Sequence, residues 1–102
     1  MNRPTTRFLD TVVLTWETVS ARSSVAFQST IKRSFDDAKL TIDVQTPQFT
    51  ATIAAWEQAY CLDIALFERA TGSGAELSAG ECTSLEEMQE RITLLCEMLT
   101  PK

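Results

Sequence analysis

The chain has 102 residues, 44% of them hydrophobic and 23% charged, with a formal net charge of −5 and no histidine. That length fits one domain, residues 1–102, which buries roughly 65% of the surface its unfolded chain exposes and has little left over for a deep catalytic cavity. The lack of histidine removes Ser-His-Asp and Cys-His catalysis and the commonest metal ligand, and no apolar run approaches the ~20 residues needed to span a bilayer.

The opening stretch is interrupted by Asp10 and is followed by no small-residue cleavage site, so a soluble, cytoplasmic protein is expected. Order is expected over about residues 6–99, with fraying at both ends. Cys61, Cys82 and Cys96 are an odd number without CxxC spacing. They are expected to be reduced thiols acting as small core residues, since three scattered cysteines without histidine make a poor zinc site. Gly72, Gly74 and Gly80 match no phosphate-binding loop. No cofactor, no metal and no enzymatic activity are expected. A paired-carboxylate mechanism through Asp43 and Asp63 would need a deeper groove than a domain of this size offers.

The charges are unevenly distributed. Residues 1–39 carry six basic and four acidic side chains, net +2, and residues 40–102 carry three basic and ten acidic, net −7. Such an acidic surface disfavours direct nucleic-acid binding and attracts basic partners, besides keeping a protein in solution.

In chain order, residues 5–19 read as a helix, with Phe8, Val12 and Trp16 at i, i+4 and i+8, Leu9 and Val13 beside them, and Thr5 or Thr6 as the cap. Ser20, Ser23 and Ser24 end it. Val25, Phe27, Ser29 and Ile31 share one side of a strand, and Asp36-Asp37 signals a turn. Leu40, Ile42 and Val44 alternate with polar neighbours, Thr46-Pro47-Gln48 closes a hairpin, and Phe49, Ala51, Ile53 and Ala55 alternate again. Leu62, Ile64 and Leu66 do the same after Tyr60, which is expected at a strand end with a wet hydroxyl. Thr71-Gly72-Ser73-Gly74 is a turn, with a short strand expected around residues 75–79. Ser84-Leu85-Glu86-Glu87 is a capping box opening a final helix, whose stripe is Leu85, Met88, Ile92, Leu95 and Leu99.

The expected fold is therefore α+β: an N-terminal helix, a four- to five-stranded antiparallel sheet and a C-terminal helix, with both helices packed on one sheet face. Leu40, Ile42, Val44, Phe49, Ile53, Leu62, Ile64 and Leu66 should lie under the helices, leaving Asp43, Thr50, Thr52, Trp56, Asp63 and Phe67 on the other face. Trp56 and Phe67 there either pack under a loop or meet a partner.

The run Ile42-Asp43, Phe49, Ile53, Trp56-Glu57, Cys61-Leu62-Asp63-Ile64 and Ser84-Leu85-Glu86-Glu87, followed by an apolar last helix, resembles the TriTu family of immunity proteins of bacterial polymorphic toxin and contact-dependent inhibition systems. The resemblance covers roughly residues 8–99 and implies an antidote that binds the C-terminal domain of a cognate toxin, as a monomer or weak homodimer. Partner-binding residues are expected at Asp43, Trp56, Glu57, Asp63 and Phe67, with Glu68, Glu76 and Glu81 as a steering rim. The competing readings are a small acidic secretion chaperone or adaptor, a self-assembling structural subunit and a small enzyme.

Overall fold

The computed structural model describes residues 7–22, 28–36 and 38–100. Its elements run α1 (Phe8–Ala21), β1 (Gln28–Arg33), β2 (Lys39–Gln45), β3 (Phe49–Trp56), a 3-10 turn (Gln58–Tyr60), β4 (Cys61–Glu68), β5 (Gly74–Ser78) and α2 (Leu85–Leu99). The five strands form one antiparallel meander in the order β1-β2-β3-β4-β5. Both helices lie on one face of this sheet and contact each other, so the α+β architecture is as the alternation requires. None of the described helices is long and apolar enough to cross a membrane.

Period-two alternation decides which face each strand buries. Leu40, Ile42 and Val44 from β2, Ala51, Ile53 and Ala55 from β3, and Leu62, Ile64 and Leu66 from β4 are buried beneath the helices. Phe49 is half-buried against the same core. The α1 stripe Phe8, Leu9, Val12 and Trp16 closes this core from one side, and Met88, Ile92, Leu95, Cys96 and Leu99 of α2 close it from the other. Leu85 departs from the expected stripe: at the first helical position it is exposed.

Two threonines of α1, Thr11 and Thr15, are buried. Their hydroxyls are satisfied by donating back to the carbonyls of Arg7 (3.1 Å) and Thr11 (2.7 Å). Burial of a hydroxyl without such a partner would cost on the order of 1–3 kcal/mol. No buried side-chain polar atom among the described residues lacks a hydrogen bond.

The capping of α1 differs from the sequence expectation. Thr5 and Thr6 lie outside the described residues, as do Ser23, Ser24, Val25, Phe27 and Asp37. The N-cap is Arg7, whose side chain does not cap, and Ser20 lies within the helix. The opening of α1 is held by Glu57, just past the end of β3. Its carboxylate accepts from the Phe8 amide (2.9 Å), the Leu9 amide (3.4 Å) and Arg7 Nε (3.1 Å). A carboxylate at this end of a helix satisfies orphan amides and opposes the positive pole of the helix dipole.

The capping box of α2 is half realised. Ser84 Oγ accepts from the Glu87 amide at 3.1 Å. Glu87 turns its carboxylate to the Thr83 hydroxyl (2.7 Å) and to Arg91 one helical turn on. Arg91 also donates to Ser78 Oγ at 2.7 Å, and Ser78 Oγ donates to the Leu62 carbonyl at 2.7 Å. This chain of bonds ties α2 through β5 to β4. It depends on a register shift at Ile64/Ala65, beyond which Ser78 pairs with Ile64 and is buried.

Candidate functional site

Neither of the described helices lies on the second face of the sheet. The register lays its side chains in transverse rows. Gln28, Gln45, Thr50, Phe67 and Gly74 form one, and Thr30, Asp43, Thr52, Ala65 and Glu76 the next. Lys32, Thr41, Ala54 and Asp63 follow, and Lys39, Trp56, Cys61 and Glu81 make the last. The middle is built of short side chains, so it is flat and half-buried by its own neighbours. The two aromatic residues stand at opposite ends.

Each candidate residue has a definite place. Asp43 sits mid-face and accepts from Thr52 Oγ1 at 3.3 Å. Trp56 is half-buried, with Lys39 Nζ 5.1 Å from its ring centroid, a cation–π arrangement across the β2–β3 pair. Asp63 accepts the Gly80 amide at 3.0 Å, and Gly80 has φ +83, a conformation that suits glycine. The Phe67 ring lies against β5: a Cβ built on Gly74 would fall 2.5 Å from it, so the residue beneath the ring has to be small. Phe67 nonetheless remains 46% exposed. Glu76 and Glu81 are exposed along the β5 margin.

Six of the eight candidates, Asp43, Trp56, Asp63, Phe67, Glu76 and Glu81, thus share the open face. The other two do not join them. Glu57 is engaged at the start of α1, and Glu68, opposite Phe49 on the helix side, accepts the Thr71 hydroxyl at 3.1 Å within the β4–β5 turn.

Two residues that sequence reasoning passed over complete the electrostatics. Lys32 and Lys39 stand toward the β1–β2 side, while Asp63, Glu76 and Glu81 stand toward the β4–β5 side, so the open face is polarised across its width. The signal was available in the alternation Lys39, Thr41, Asp43, Gln45. Tyr60 stands exposed immediately before β4, at a strand end as expected. It adopts φ +49 and stacks on Phe8, with ring centroids 4.9 Å apart and planes 15° from parallel.

The cysteines divide. Cys82 and Cys96 are buried, whereas Cys61 lies half-buried on the open face rather than in the core. Burial pushes the Cys96 thiol up to about 11 and raises Cys82 as well. The described residues contain no group of His, Cys, Asp and Glu side chains placed to hold a metal ion. Comparison with protein-family models, curated proteins and solved structures finds no match.

Proposed function

We propose that this chain is a cytoplasmic immunity protein, which neutralises the C-terminal domain of a cognate bacterial toxin by covering a basic surface of it, one to one, with the open sheet face. The observation that carries the reading is that face itself. The described helices leave a whole side of the five-stranded sheet open, and it gathers two aromatic anchors and a one-sided acidic margin. Flat faces with aromatic anchors and charged rims suit protein recognition better than small-molecule binding, which favours enclosed apolar cavities. The resemblance to TriTu immunity proteins points the same way.

The test is co-expression with the product of the neighbouring toxin gene, followed by co-purification and a growth-protection assay. Trp56→Ala is expected to weaken the complex by about 2–4 kcal/mol, as truncation of an aromatic anchor residue does. A complex that forms at full strength with Trp56→Ala and Phe67→Ala, and is weakened instead by Glu86→Lys and Glu90→Lys on α2, would remove the open face from the reading.

A secretion chaperone or adaptor is favoured by a different feature. Every residue of the edge strand β1 is exposed, Ile31 among them, and Phe35 in the following turn is fully exposed. Such an edge can accept an added strand. That reading requires a stable homodimer or a bound extended segment on β1, which size-exclusion chromatography with light scattering would detect.

A further inference from the structure

The open face is concave at its Trp56 end. Here the chain leaves β3, passes through the 3-10 turn and returns as β4, while Gly80 and Glu81 run alongside. The Leu62 amide donates to the Gly80 carbonyl at 2.9 Å, and Cys61 bridges Glu81. Between them lies an open depression of about 640 Å³, lined by Trp56, Gln58, Cys61, Asp63, Ala79 and Gly80. One carboxylate oxygen of Asp63 holds the Gly80 amide, and the other takes no hydrogen bond from any described residue. Glu81 stands exposed at the margin. Among the described residues, no basic side chain lines the depression. Lys39, which already meets the Trp56 ring, reaches it from β2, the strand on the other side of β3.

We propose that this depression anchors an arginine side chain of the protein partner, with the guanidinium plane along the Trp56 indole and its N–H groups on Asp63. The inference rests on the open face being the docking face, and it names the chemistry that face selects. An indole wall beside a carboxylate matches a guanidinium in particular. The planar cation stacks on aromatic rings, gives up its hydration more readily than an ammonium, and donates two parallel hydrogen bonds to one carboxylate. An anionic ligand would meet Asp63 and Glu81 with no cation among the described lining residues to offset them.

The probe is the peptide acetyl-Gly-Arg-Gly-amide, titrated into the full-length chain and followed by amide and indole NMR signals, beside the same peptide with lysine or with citrulline, a neutral isostere. The Trp56 indole N–H and the Gly80 amide are expected to move and saturate, while the indole of Trp16, 2% exposed in the core, stays still. Arginine should bind at least about fivefold more tightly than citrulline, and more tightly than lysine. Asp63→Asn keeps an acceptor for the Gly80 amide and removes the charge, so it should abolish the preference for arginine with the Trp16 signal unchanged. Trp56→Leu, which leaves Asp63 in place, should weaken the arginine peptide more than the lysine peptide, because the stacking surface is lost and the carboxylate kept. Equal shifts with arginine and citrulline, or shifts centred on Glu86, Glu90 and Glu97, would overturn the proposal. A toxin complex whose affinity Asp63→Asn leaves unchanged would remove the pocket but not the docking face. Arginine-selective binding with no toxin partner would keep the pocket and remove the toxin reading.

Discussion

Glu57 shows how a residue's chemistry can be settled by a neighbour far away in sequence. In the strand pattern it reads as a surface acid beside a tryptophan, a natural member of a binding patch. In the fold its carboxylate meets the first amides of α1 and Arg7, and its own amide donates to the Ala38 carbonyl at 3.0 Å. Glu57→Ala is therefore expected to cost about 1–2 kcal/mol in urea unfolding, as loss of a helix cap does. It should leave partner affinity nearly intact once corrected for the folded fraction. The thiols are sorted in the same way. Ellman's reagent should modify Cys61 in the native protein and reach Cys82 and Cys96 only on unfolding, because burial keeps both in the unreactive thiol form. The Cys96 thiol also sets an alkaline limit. Its folded value lies above the free value of 9.0, so the unfolded state ionises first, and the stability is whole below about 9 and drains away as pH climbs toward about 11. Urea midpoints measured across that window should fall less steeply for Cys96→Ala than for the parent chain.

Among the elements, the β4–β5 hairpin and the start of α2 repay attention. Gly74 is in the chain for the sake of Phe67: any Cβ there displaces the ring. Gly74→Ala should destabilise the protein by about 1 kcal/mol or more through that clash. In a Phe67→Ala background the same substitution should be neutral or mildly stabilising, because glycine's entropy in the unfolded chain is then all that remains. A double-mutant cycle in urea measures the coupling. At the other site, the Thr83 hydroxyl chiefly, with Arg91 assisting, holds the Glu87 carboxyl below its ordinary 4.5. A lowered carboxylate value adds stability above the free value, and that stability is lost as pH falls through the folded one. Both Glu87→Gln and Thr83→Val should flatten the acid limb of a stability–pH curve.

Strands β2, β3 and β4 were legible in sequence because strict alternation fixes both the element and its buried face. The Thr46-Pro47-Gln48 hairpin was legible because Thr46 Oγ1 accepts the Phe49 amide at 2.9 Å, a local bond. What alternation could not reveal depends on contacts distant in sequence: the cap that Glu57 supplies to α1, the Ser78–Arg91 tie, and the close approach of the Phe67 ring to β5. The placement of Asp43, Trp56, Asp63 and Phe67 on one face followed from parity alone, while Glu76 and Glu81 join them through the shifted β4–β5 register and an isolated bridge to Cys61. The same parity excludes Glu68, which falls on the helix face, whereas the exclusion of Glu57 does not follow from it, since Glu57 lies past the end of its strand.

At the scale of the molecule, the excess of acid in the second part of the chain becomes a direction in space. Residues 40–102 carry net −7, and on the open face the meander turns sequence order into position, from the β1–β2 lysines to the β4–β5 acids. A basic partner should be steered toward the β4–β5 margin. Glu76→Lys with Glu81→Lys is expected to slow association at low salt and to flatten its dependence on ionic strength, while dissociation changes little. Stopped-flow association rates at several salt concentrations check this, and an unchanged rate at low salt would end the steering idea. The exposed carboxylates of α2, Glu86, Glu90 and Glu97, point away from the sheet and should contribute only weakly to that rate.

The two tryptophans stand on opposite sides of the same sheet, Trp16 sealed in the core and Trp56 half-open on the uncovered face. The protein thus carries two emitters that report different events. The blue-shifted emission of Trp16 should vanish only when the core opens, whereas acrylamide should quench Trp56 in the native state and lose access once a partner settles over it. A Trp56→Phe chain then reads folding by light alone, and the difference between it and the parent reads occupancy of the face, with no label added to either molecule.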